Sequence, residues 1–505
     1  MKKLSVLLIL IMCAALFASC GIKEQLEQIS DNLKGQIIDM AGQFIEKNPD
    51  TDSCDDTSDP SIDTKPTDTP SDTGVSSGIL SEIVPDTPDV PVVPEPPVEP
   101  DYVVLEREKY PLNKYVGFNV TKSSEKLLDN EYKYNTVYGY GRFDTTLENM
   151  INAASYSHPI TYFTISGIES NVALGLDLTK IKLEATEEEK SYAQLSAEIR
   201  QFANSFCKDN FLSNLKRMEI GTNPDLDMSA KDYALLLNTI YDDNCMQNGE
   251  EIGTTFISTD IRLITGKMSS LNVSYVKELM AEFQQGRNDE FLPISGWSFS
   301  ISTNGLSPEK TFVNNEELKE LISYRNEHFE NIEIYLSDFG WDTVNTESQN
   351  YIAPSNGYTS EELQSMYMLR AYLILYAMDV DKSSYSRILD TSDNGEGIID
   401  VDGNKKTAYY TLEFFKSKMN GMYISEVVSN GENDIYCYKF TNENGKTILA
   451  LWSSNGSQSY TVENIPQSVT VSAYDTATKS YASNVAETDG AFVTALGESV
   501  MFIEY

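Results

Sequence analysis

Two short stretches of the sequence carry side chains whose types and positions could support chemistry. Residues 332–337 alternate apolar and polar side chains and lead into Asp338, and Trp341 follows three positions later. A strand that delivers a carboxylate beside an aromatic ring is an arrangement by which barrel enzymes place a nucleophile against a sugar. The second stretch, residues 218–222, leads into Asn223, whose amide can hydrogen-bond a ligand but cannot release a proton at any accessible pH. Together they predict a polar site at the ends of strands.

The elements that must position these residues are strands that alternate with helices. We predict eight strands, at residues 115–120, 136–139, 160–165, 218–222, 255–263, 292–301, 332–337 and 380–389. Several of these strands are separated by segments whose apolar residues recur at helical spacing. These predicted helices are residues 191–206, 230–241, 316–325 and 360–378. This order predicts an α/β fold, a TIM (β/α)8 barrel over residues 102–420, whose sites lie at the C-terminal strand ends. Short alternating strands with Asn-Gly turns follow and predict a small all-β sandwich over residues 421–505.

Four motifs resemble, in this order along the chain, those of the clan-A glycoside hydrolases. Residues 218–225 (Met-Glu-Ile-Gly-Thr-Asn-Pro-Asp) resemble the fourth-strand motif Glu-Ile-Gly-Asn-Glu-Pro-Asp. Residues 295–300 are similar to the sixth strand, and residues 337–341 (Ser-Asp-Phe-Gly-Trp) to the seventh-strand motif Thr-Glu-Phe-Gly-Trp. Residues 397–410 resemble the segment that enters the last helix of the barrel. The resemblance implies the barrel fold, a carbohydrate ligand and a retaining mechanism with two carboxyl groups about 5–5.5 Å apart.

The catalytic residues expected in that clan are replaced in this chain. The resemblance places the acid/base glutamate at Asn223, the nucleophilic glutamate at Asp338, and the asparagine that binds the sugar's 2-hydroxyl at Thr222. The carboxylate of an aspartate lies about 1.5 Å further back than that of a glutamate, and a displacement of about 1 Å can lower a rate on the order of a hundredfold. The sixth-strand histidine is missing, since the only histidines are His158 and His328. We therefore expect a degenerate catalytic site, a pseudoenzyme candidate.

The resemblance also marks side chains that would contact the sugar. Trp297 and Trp341 lie at predicted strand ends, where an indole face can stack on a pyranose ring, although both would also suit a core position. Tyr138, Tyr140 and Arg142 follow the second predicted strand, where related barrels place sugar-binding aromatic and basic groups. We expect these five side chains to line the mouth of the barrel, meaning the space at the C-terminal ends of its strands.

Acidic residues outside the motifs bear on whether the site can hydrolyse a glycan. We expect Asp390 to contact the ligand. A relocated acid would restore hydrolysis, and four side chains are candidates for this role: Glu169, Asp342, Asp390 and Glu396. Residues 400–404 have an Asp-x-Asp-x-Asn pattern without the glycine and distal glutamate of a calcium loop, so they predict a hairpin. Trp452, inside a predicted strand of the sandwich, is expected in its core.

The N-terminal region predicts export and lipid attachment. Two lysines precede an apolar run over residues 4–17, and an alanine and a serine then precede Cys20. This is the pattern of a signal peptide, and the cysteine resembles that of a bacterial lipobox. It implies a signal peptide over residues 1–19 and a lipid on Cys20, whereas the alternative is an ordinary signal peptide with an incidental cysteine. We expect a membrane-anchored lipoprotein on the bacterial cell surface, facing outside the cytoplasm.

Two segments connect this anchor to the barrel. Residues 20–48 show apolar residues at near-heptad spacing and predict a short amphipathic helix at the anchor. Residues 49–101 are rich in Asp, Thr, Ser and Pro and contain most of the chain's 18 prolines. Such a composition cannot bury enough apolar surface to fold, so we predict a disordered, extended linker.

The composition excludes several classes of function. The formal net charge is −39, and nucleic-acid binding needs clustered Lys and Arg, so no nucleic-acid partner is expected. No pair of cysteines has C-x-x-C spacing, so we expect no metal site. Cys207 and Cys245 are predicted either to pair or to remain two buried thiols. The motifs imply no cofactor.

Three hypotheses about function remain. The first is a surface lipoprotein whose barrel binds polysaccharide or oligosaccharide with little or no hydrolysis. The second is an active glycosidase that cleaves O-glycosyl bonds with Asp338 as nucleophile and a displaced acid. The third is a structural or adhesive module that keeps the fold without a sugar site, since a fold alone does not decide function.

Overall fold

The computed structural model describes the part of the chain that folds into the barrel and the sandwich. The described residues are 110–120, 137, 139–145, 169–206, 215–247, 250–251, 261–286 and 292–505. The predicted signal peptide, lipid anchor, amphipathic helix and linker lie outside them, as do Tyr138 and Cys207. In these described ranges no helix has both the length and the apolar character needed to span a membrane.

Eight parallel strands form the barrel. They are β1 (Val116–Val120), β2 (Tyr140–Thr145), β3 (Glu169–Leu174), β4 (Leu215–Thr222), β5 (Arg262–Lys267), β6 (Gly296–Ser300), β7 (Glu333–Phe339) and β8 (Lys382–Tyr385). Hydrogen bonds join them in the order β6-β7-β8-β1-β2-β3-β4-β5. A parallel bridge between Met268 and Phe299 links the ends of β5 and β6, so the sheet closes on itself.

Helices of the described residues surround the barrel. They are α1 (Tyr192–Phe206), α2 (Ala230–Cys245), α3 (Val273–Gly286), α4 (Glu316–His328), α5 (Ser360–Ala377) and α6 (Thr407–Lys418). Helix α5 begins with a capping box, in which Thr359 and Glu362 satisfy each other's backbone N–H groups. Nearly all of its residues are buried, because it packs against the barrel on one side and meets the sandwich on the other. This explains why its sequence is apolar all round rather than along one stripe.

A β-sandwich follows the barrel. Its strands are β9 (Tyr423–Glu432), β10 (Ile435–Thr441), β11 (Thr447–Ser453), β12 (Gln458–Glu463), β13 (Ser468–Asp475), β14 (Ser480–Glu487), β15 (Ala491–Leu496) and β16 (Met501–Glu504). One sheet has the order β9-β10-β11-β16-β13-β14, and β12 pairs with β15 in the other. Trp452 is fully buried and stacks on Tyr436, and its Nε1–H donates to Glu309 Oε1 at 2.8 Å. It packs with the core residues of the barrel, so it lies where the sandwich meets the barrel and not in the sandwich core, where it was expected. The predicted fold class, a TIM barrel followed by an all-β sandwich, is confirmed.

The interior of the barrel is polar over much of its length. Arg142 on β2 donates three hydrogen bonds to Glu219 on β4, at 2.7 to 3.0 Å, and both side chains are completely buried. Ser337 on β7 donates to the same carboxylate at 3.3 Å and accepts from Ser298 on β6 at 2.7 Å. A buried carboxylate needs such partners, because each unpaired polar group in the interior costs free energy.

Three of the predicted strands differ in position from the observed ones. The second strand was predicted at 136–139 but begins at Tyr140, and the fifth was predicted at 255–263 but spans Arg262–Lys267. The predicted third strand at 160–165 lies outside the described residues, and the observed one is Glu169–Leu174. In β2 the inward-facing Arg142 interrupts the apolar pattern, so the apolar run used to place that strand did not coincide with it. In β5 the strand continues to Lys267, beyond the apolar run that was used to place it.

Candidate functional site

Asp338 lies at the mouth, near the end of β7. The register of β7 shifts near Asp338 towards both neighbouring strands. On β6, Ser300 pairs with Asp338, one position out of step with the preceding pairs. On β8, the pairing skips from Leu336 to Phe339. A bulge of this kind redirects a side chain that strict alternation would place on the other face. The Asp338 side chain is 28 % exposed, so the predicted carboxylate is accessible at the mouth.

Lys267, the last residue of β5, pairs directly with Asp338. Its Nζ lies 2.6 Å from Asp338 Oδ2, and its side chain is 18 % exposed. Such a partly buried, charge-assisted hydrogen bond is short and strong. Lys267 was not predicted as a site residue, because the predicted fifth strand ended at residue 263 and left this lysine in a loop.

Asn223 and Thr222 end the fourth strand beside this pair. Asn223 adopts a left-handed conformation with φ 49° and ψ 47°, which asparagine tolerates better than most residues. Its backbone N–H donates to the carbonyl of Lys267 at 2.8 Å, so the ends of β4 and β5 are joined here. Asp225, two residues on, accepts from the N–H and hydroxyl of Ser269 at 2.8 and 2.7 Å and is therefore structural.

Tyr140 and Arg142 do not line the mouth, which corrects the prediction for both. Tyr140 is the first residue of β2, at the opposite end of the strand, and it packs with Ile264 and Tyr335 inside the barrel. Arg142 is 1 % exposed and committed to the Glu219 carboxylate. Burial lowers the pKa of Arg142, but the Asp144 and Glu219 carboxylates outweigh burial and raise it. A guanidinium held in this way serves the fold.

The two predicted aromatic platforms are also absent. Trp297 is fully buried on the outer face of β6, where it stacks on Tyr324 of α4. Successive residues of a strand point to opposite faces. The residues before and after Trp297 in β6 therefore face the interior of the barrel, and Trp297 faces the helices. Trp341 is fully buried as well, and its Nε1–H donates to the carbonyl of Leu306 at 2.8 Å. Both indoles are core residues, so neither can stack on a sugar.

Asp390 is held in a buried ion pair and does not face a ligand, which corrects its predicted role. Lys406 Nζ lies 3.1 Å from its Oδ2, and the two side chains are 3 and 6 % exposed. The N–H of Gly397 donates to Asp390 Oδ1 at 2.6 Å. Burial raises the pKa of Asp390 to about 6 against the opposing effect of Lys406. The pair fixes the loop that follows β8.

The other candidate acids occupy three different environments. Glu169 opens β3 at the end of the barrel remote from the mouth, 3.5 Å from Lys382 Nζ. Asp342 is fully buried and accepts backbone N–H groups of residues 344, 345 and 395, so it organises loops. Glu396 is buried in the loop after β8, where its Oε1 accepts from Asn350 Nδ2 at 2.9 Å. Burial raises the pKa of Glu396 against the opposing effect of this hydrogen bond.

No family model matches this sequence, and no curated protein matches it. The structure is similar to that of a family 39 glycoside hydrolase from Bacteroides cellulosilyticus WH2, with a TM-score of 0.58 and 15 % identity over 78 % of this chain and 80 % of that one. A GH30 endoxylanase from Clostridium papyrosolvens C71 gives a TM-score of 0.53 and 12 % identity, covering 78 % of this chain and 97 % of the other. The GH51 arabinofuranosidase from Xanthomonas axonopodis pv. citri gives 0.50 and 11 %, covering 76 and 89 %.

These structural neighbours are clan-A glycoside hydrolases, and this chain has their fold, as its motifs predicted. At such low identity the similarity shows the fold alone. The role of the mouth depends on its own residues.

Proposed function

We propose that the mouth of the barrel binds a glycan and hydrolyses it little or not at all. The observation that carries this proposal is the 2.6 Å ion pair between Lys267 and Asp338. An ammonium at hydrogen-bond distance stabilises the resting carboxylate of Asp338 and lowers its nucleophilicity, and this stabilisation weakens as the carboxylate loses charge on attack at the anomeric carbon. The ground state is favoured and the barrier to attack rises.

The fourth strand supports the same proposal. Hydrolysis with retention needs a carboxylic acid opposite the nucleophile to protonate the leaving oxygen. Asn223 stands where the resemblance places that acid, and an amide has no proton to give at accessible pH. General acid–base catalysis typically contributes about 10²–10⁴-fold to a rate. Without an acid at this position, the end of the fourth strand supports binding of a ligand and not its hydrolysis.

The exposed groups of the mouth suit a neutral, hydroxyl-rich ligand. Thr222 offers a hydroxyl, Asn223 an amide, Lys267 an ammonium and Asp338 a carboxylate, so donors and acceptors alternate over a short distance. Both tryptophans predicted to stack on the sugar are buried. Recognition by these residues therefore relies on hydrogen bonds, which contribute little net free energy each in water. We expect weak affinity for short oligosaccharides.

Calorimetry with a panel of purified polysaccharides and oligosaccharides tests this proposal. We expect binding that weakens at least about tenfold in Lys267→Met, because the Asp338 charge then lacks its partner and the ammonium donor is gone. Asp402→Asn is the matched control, since Asp402 is an exposed aspartate in the turn at residues 400–404 and should leave binding unchanged.

Hydrolysis is measured on the same panel as release of reducing ends. We expect none above the rate of a heat-inactivated sample. Turnover that Asp338→Asn abolishes would establish the chain as an active glycosidase instead. Failure of every glycan to bind would favour a structural or adhesive module.

We propose in addition that the chain is displayed on the bacterial cell surface by a lipid on Cys20. The support is the short apolar run and the small residues that precede this cysteine. Metabolic labelling with a radioactive fatty acid should mark the native chain and not Cys20→Ala. Equal labelling of both would contradict the lipid anchor.

A further inference from the structure

The carboxylate of Asp144 lies at the mouth, near the end of the second strand. Tyr140, Arg142 and Asp144 occupy alternate positions of β2, and the first two side chains are buried inside the barrel. Because alternate residues of a strand face the same side, Asp144 also points inward, at the C-terminal end of β2 where the mouth opens. Its side chain is 46 % exposed, so a ligand in the mouth can reach this carboxylate.

A single guanidinium lies between Asp144 and a second carboxylate. Arg142 Nη1 lies 2.6 Å from Asp144 Oδ1, and its Nη2 lies 2.7 Å from Glu219 Oε2. The strand register agrees with this, because Ala173 on β3 is directly opposite both Asp144 on β2 and Glu219 on β4. Arg142 and Glu219 are buried, so Asp144 is the member of this group of three that solvent reaches.

The group of three carries more negative charge than it can neutralise. One guanidinium cation faces two carboxylates, so one negative charge is left over. Glu219 accepts from both Nε and Nη2 of Arg142, whereas Asp144 accepts from Nη1 with Oδ1 alone. Among the described residues, Oδ2 of Asp144 has no hydrogen-bond partner. The surplus charge therefore lies on the carboxylate that faces the mouth.

Asp338, which also faces the mouth, has a cation of its own. Lys267 Nζ lies 2.6 Å from its Oδ2. In the loop after β8, Arg387 Nε likewise lies 3.9 Å from Glu396 Oε2. Each of these pairs holds one cation and one anion. Asp144 differs from both pairs, because it shares its cation with a buried carboxylate.

We propose that Asp144 makes the mouth selective for neutral glycans over acidic ones. Its Oδ2 accepts a hydrogen bond from a sugar hydroxyl, whereas the carboxylate of a uronic acid at the same place meets an uncompensated like charge. Like charges about 4 Å apart weaken binding roughly fivefold where water screens them, and more where burial lowers the dielectric constant. This inference rests on the proposed glycan binding and adds the class of ligand. Arg142 is a positioning residue, because it holds Asp144.

Matched pairs of ligands test the proposal on the full chain. Calorimetry at low salt compares neutral oligosaccharides of glucose, mannose and galactose with the same oligosaccharides oxidised to uronates at C6. We expect the neutral member of a pair to bind at least about fivefold more tightly. Asp144→Asn keeps an acceptor for Arg142 but removes the surplus charge, so this ratio of affinities should fall about fivefold. The native ratio should also fall in 1 M NaCl, where the Debye length is only about 3 Å.

Asp227→Asn is the matched control. Asp227 is an exposed residue of the short helix Pro224–Asp227 after β4, at the same end of the barrel. Its substitution changes the formal net charge of −39 by the same amount, and the native ratio should persist in this variant. If both variants lose the ratio equally, the charge of the whole chain repels acidic glycans, and the role of Asp144 is overturned.

The remaining outcomes distinguish this inference from the proposed function. Equal affinity of the native chain for both members of each pair, or tighter binding of the uronates, would overturn the charge selection and leave glycan binding intact. A ratio that changes less than about twofold in Asp144→Asn would overturn the assignment to this residue. Absence of binding by every neutral oligosaccharide would overturn the selection too, and the wider panel of polysaccharides then decides whether the proposed function fails with it.

Discussion

The bidentate pair between Arg142 and Glu219 allows a quantitative test of the polar barrel interior. In Arg142→Met the Glu219 carboxylate loses two N–H donors, Nε–H and Nη2–H, and keeps the hydrogen bond from Ser337, whose hydroxyl is 3.3 Å away. Breaking a buried ion pair from one side costs about 3–5 kcal/mol. The variant can escape part of this by protonating the carboxyl, which for an ordinary glutamate at pH 7 costs about 3–4 kcal/mol. We therefore expect a loss of about 3–4 kcal/mol at pH 7.

The same reasoning fixes how the loss depends on pH. At about pH 5 protonating a glutamate costs only about 1 kcal/mol, so the penalty of Arg142→Met should shrink as the pH falls. Urea unfolding followed by far-UV circular dichroism measures both values, with Arg262→Met on β5 as an exposed control. A loss below about 1 kcal/mol at pH 7 would refute the reasoning, and so would a loss that does not change with pH. Arg142 would then be free to bind a ligand, as its sequence position suggested.

Three further predictions concern the contact with the sandwich, a titrating loop and the tryptophans. Glu309→Gln keeps an acceptor for Trp452 but removes the anion 3.1 Å from the buried Arg370, so we expect a loss of about 3–5 kcal/mol in urea unfolding. Burial raises the pKa of Asp390 to about 6, so its folded state binds the proton more tightly than the unfolded chain does. Stability should therefore fall as the pH rises from about 4 to about 6, and this slope should be absent in Asp390→Asn. All three tryptophans are fully buried, so their emission should resist quenching by iodide and should not change when a glycan binds.

A specific experimental outcome would contradict each of these three predictions. Unfolding of Glu309→Gln at the native urea concentration would show that the buried ion pair with Arg370 does not stabilise the barrel beneath the sandwich. A pH slope that survives in Asp390→Asn would assign the titration to another carboxyl. Strong iodide quenching or a glycan-induced shift in emission would place an indole at the surface.

The strands that the sequence predicted well are those whose outward faces carry apolar side chains against helices. In β7 the alternation of residues 332–337 matched the strand Glu333–Phe339, because its isoleucines and leucine face the helices while its polar residues face inward. In the second strand the inward-facing Arg142 broke the apolar pattern. The fifth strand ends in Lys267, beyond the apolar run by which it was predicted. Periodicity reports burial against an apolar layer, so it fails where a barrel fills its interior with ion pairs.

The candidate site was predictable in part. Asp338 and Asn223 were correctly placed at strand ends, because strand-end motifs are local in sequence. Lys267 was missed because pairing across the mouth joins residues 71 positions apart, and no local pattern records it. The tryptophans were misplaced for a related reason: whether an indole at a strand end faces the mouth or a helix depends on which residues cover it. Trp341 is covered by Phe312 and Tyr367, which follow from the tertiary fold alone.

The ion pair across the mouth also couples the ends of three strands to one another. A carboxylate introduced at Asn223 would stand on a backbone bonded to that of Lys267, beside an ammonium already committed to Asp338. Lengthening Asp338 to glutamate would push its carboxylate past the same ammonium. Removing Lys267 first would leave Asp338 without its counter-ion. Each single substitution at these three strand ends would therefore disturb an existing contact of the mouth, so their effects should not be additive.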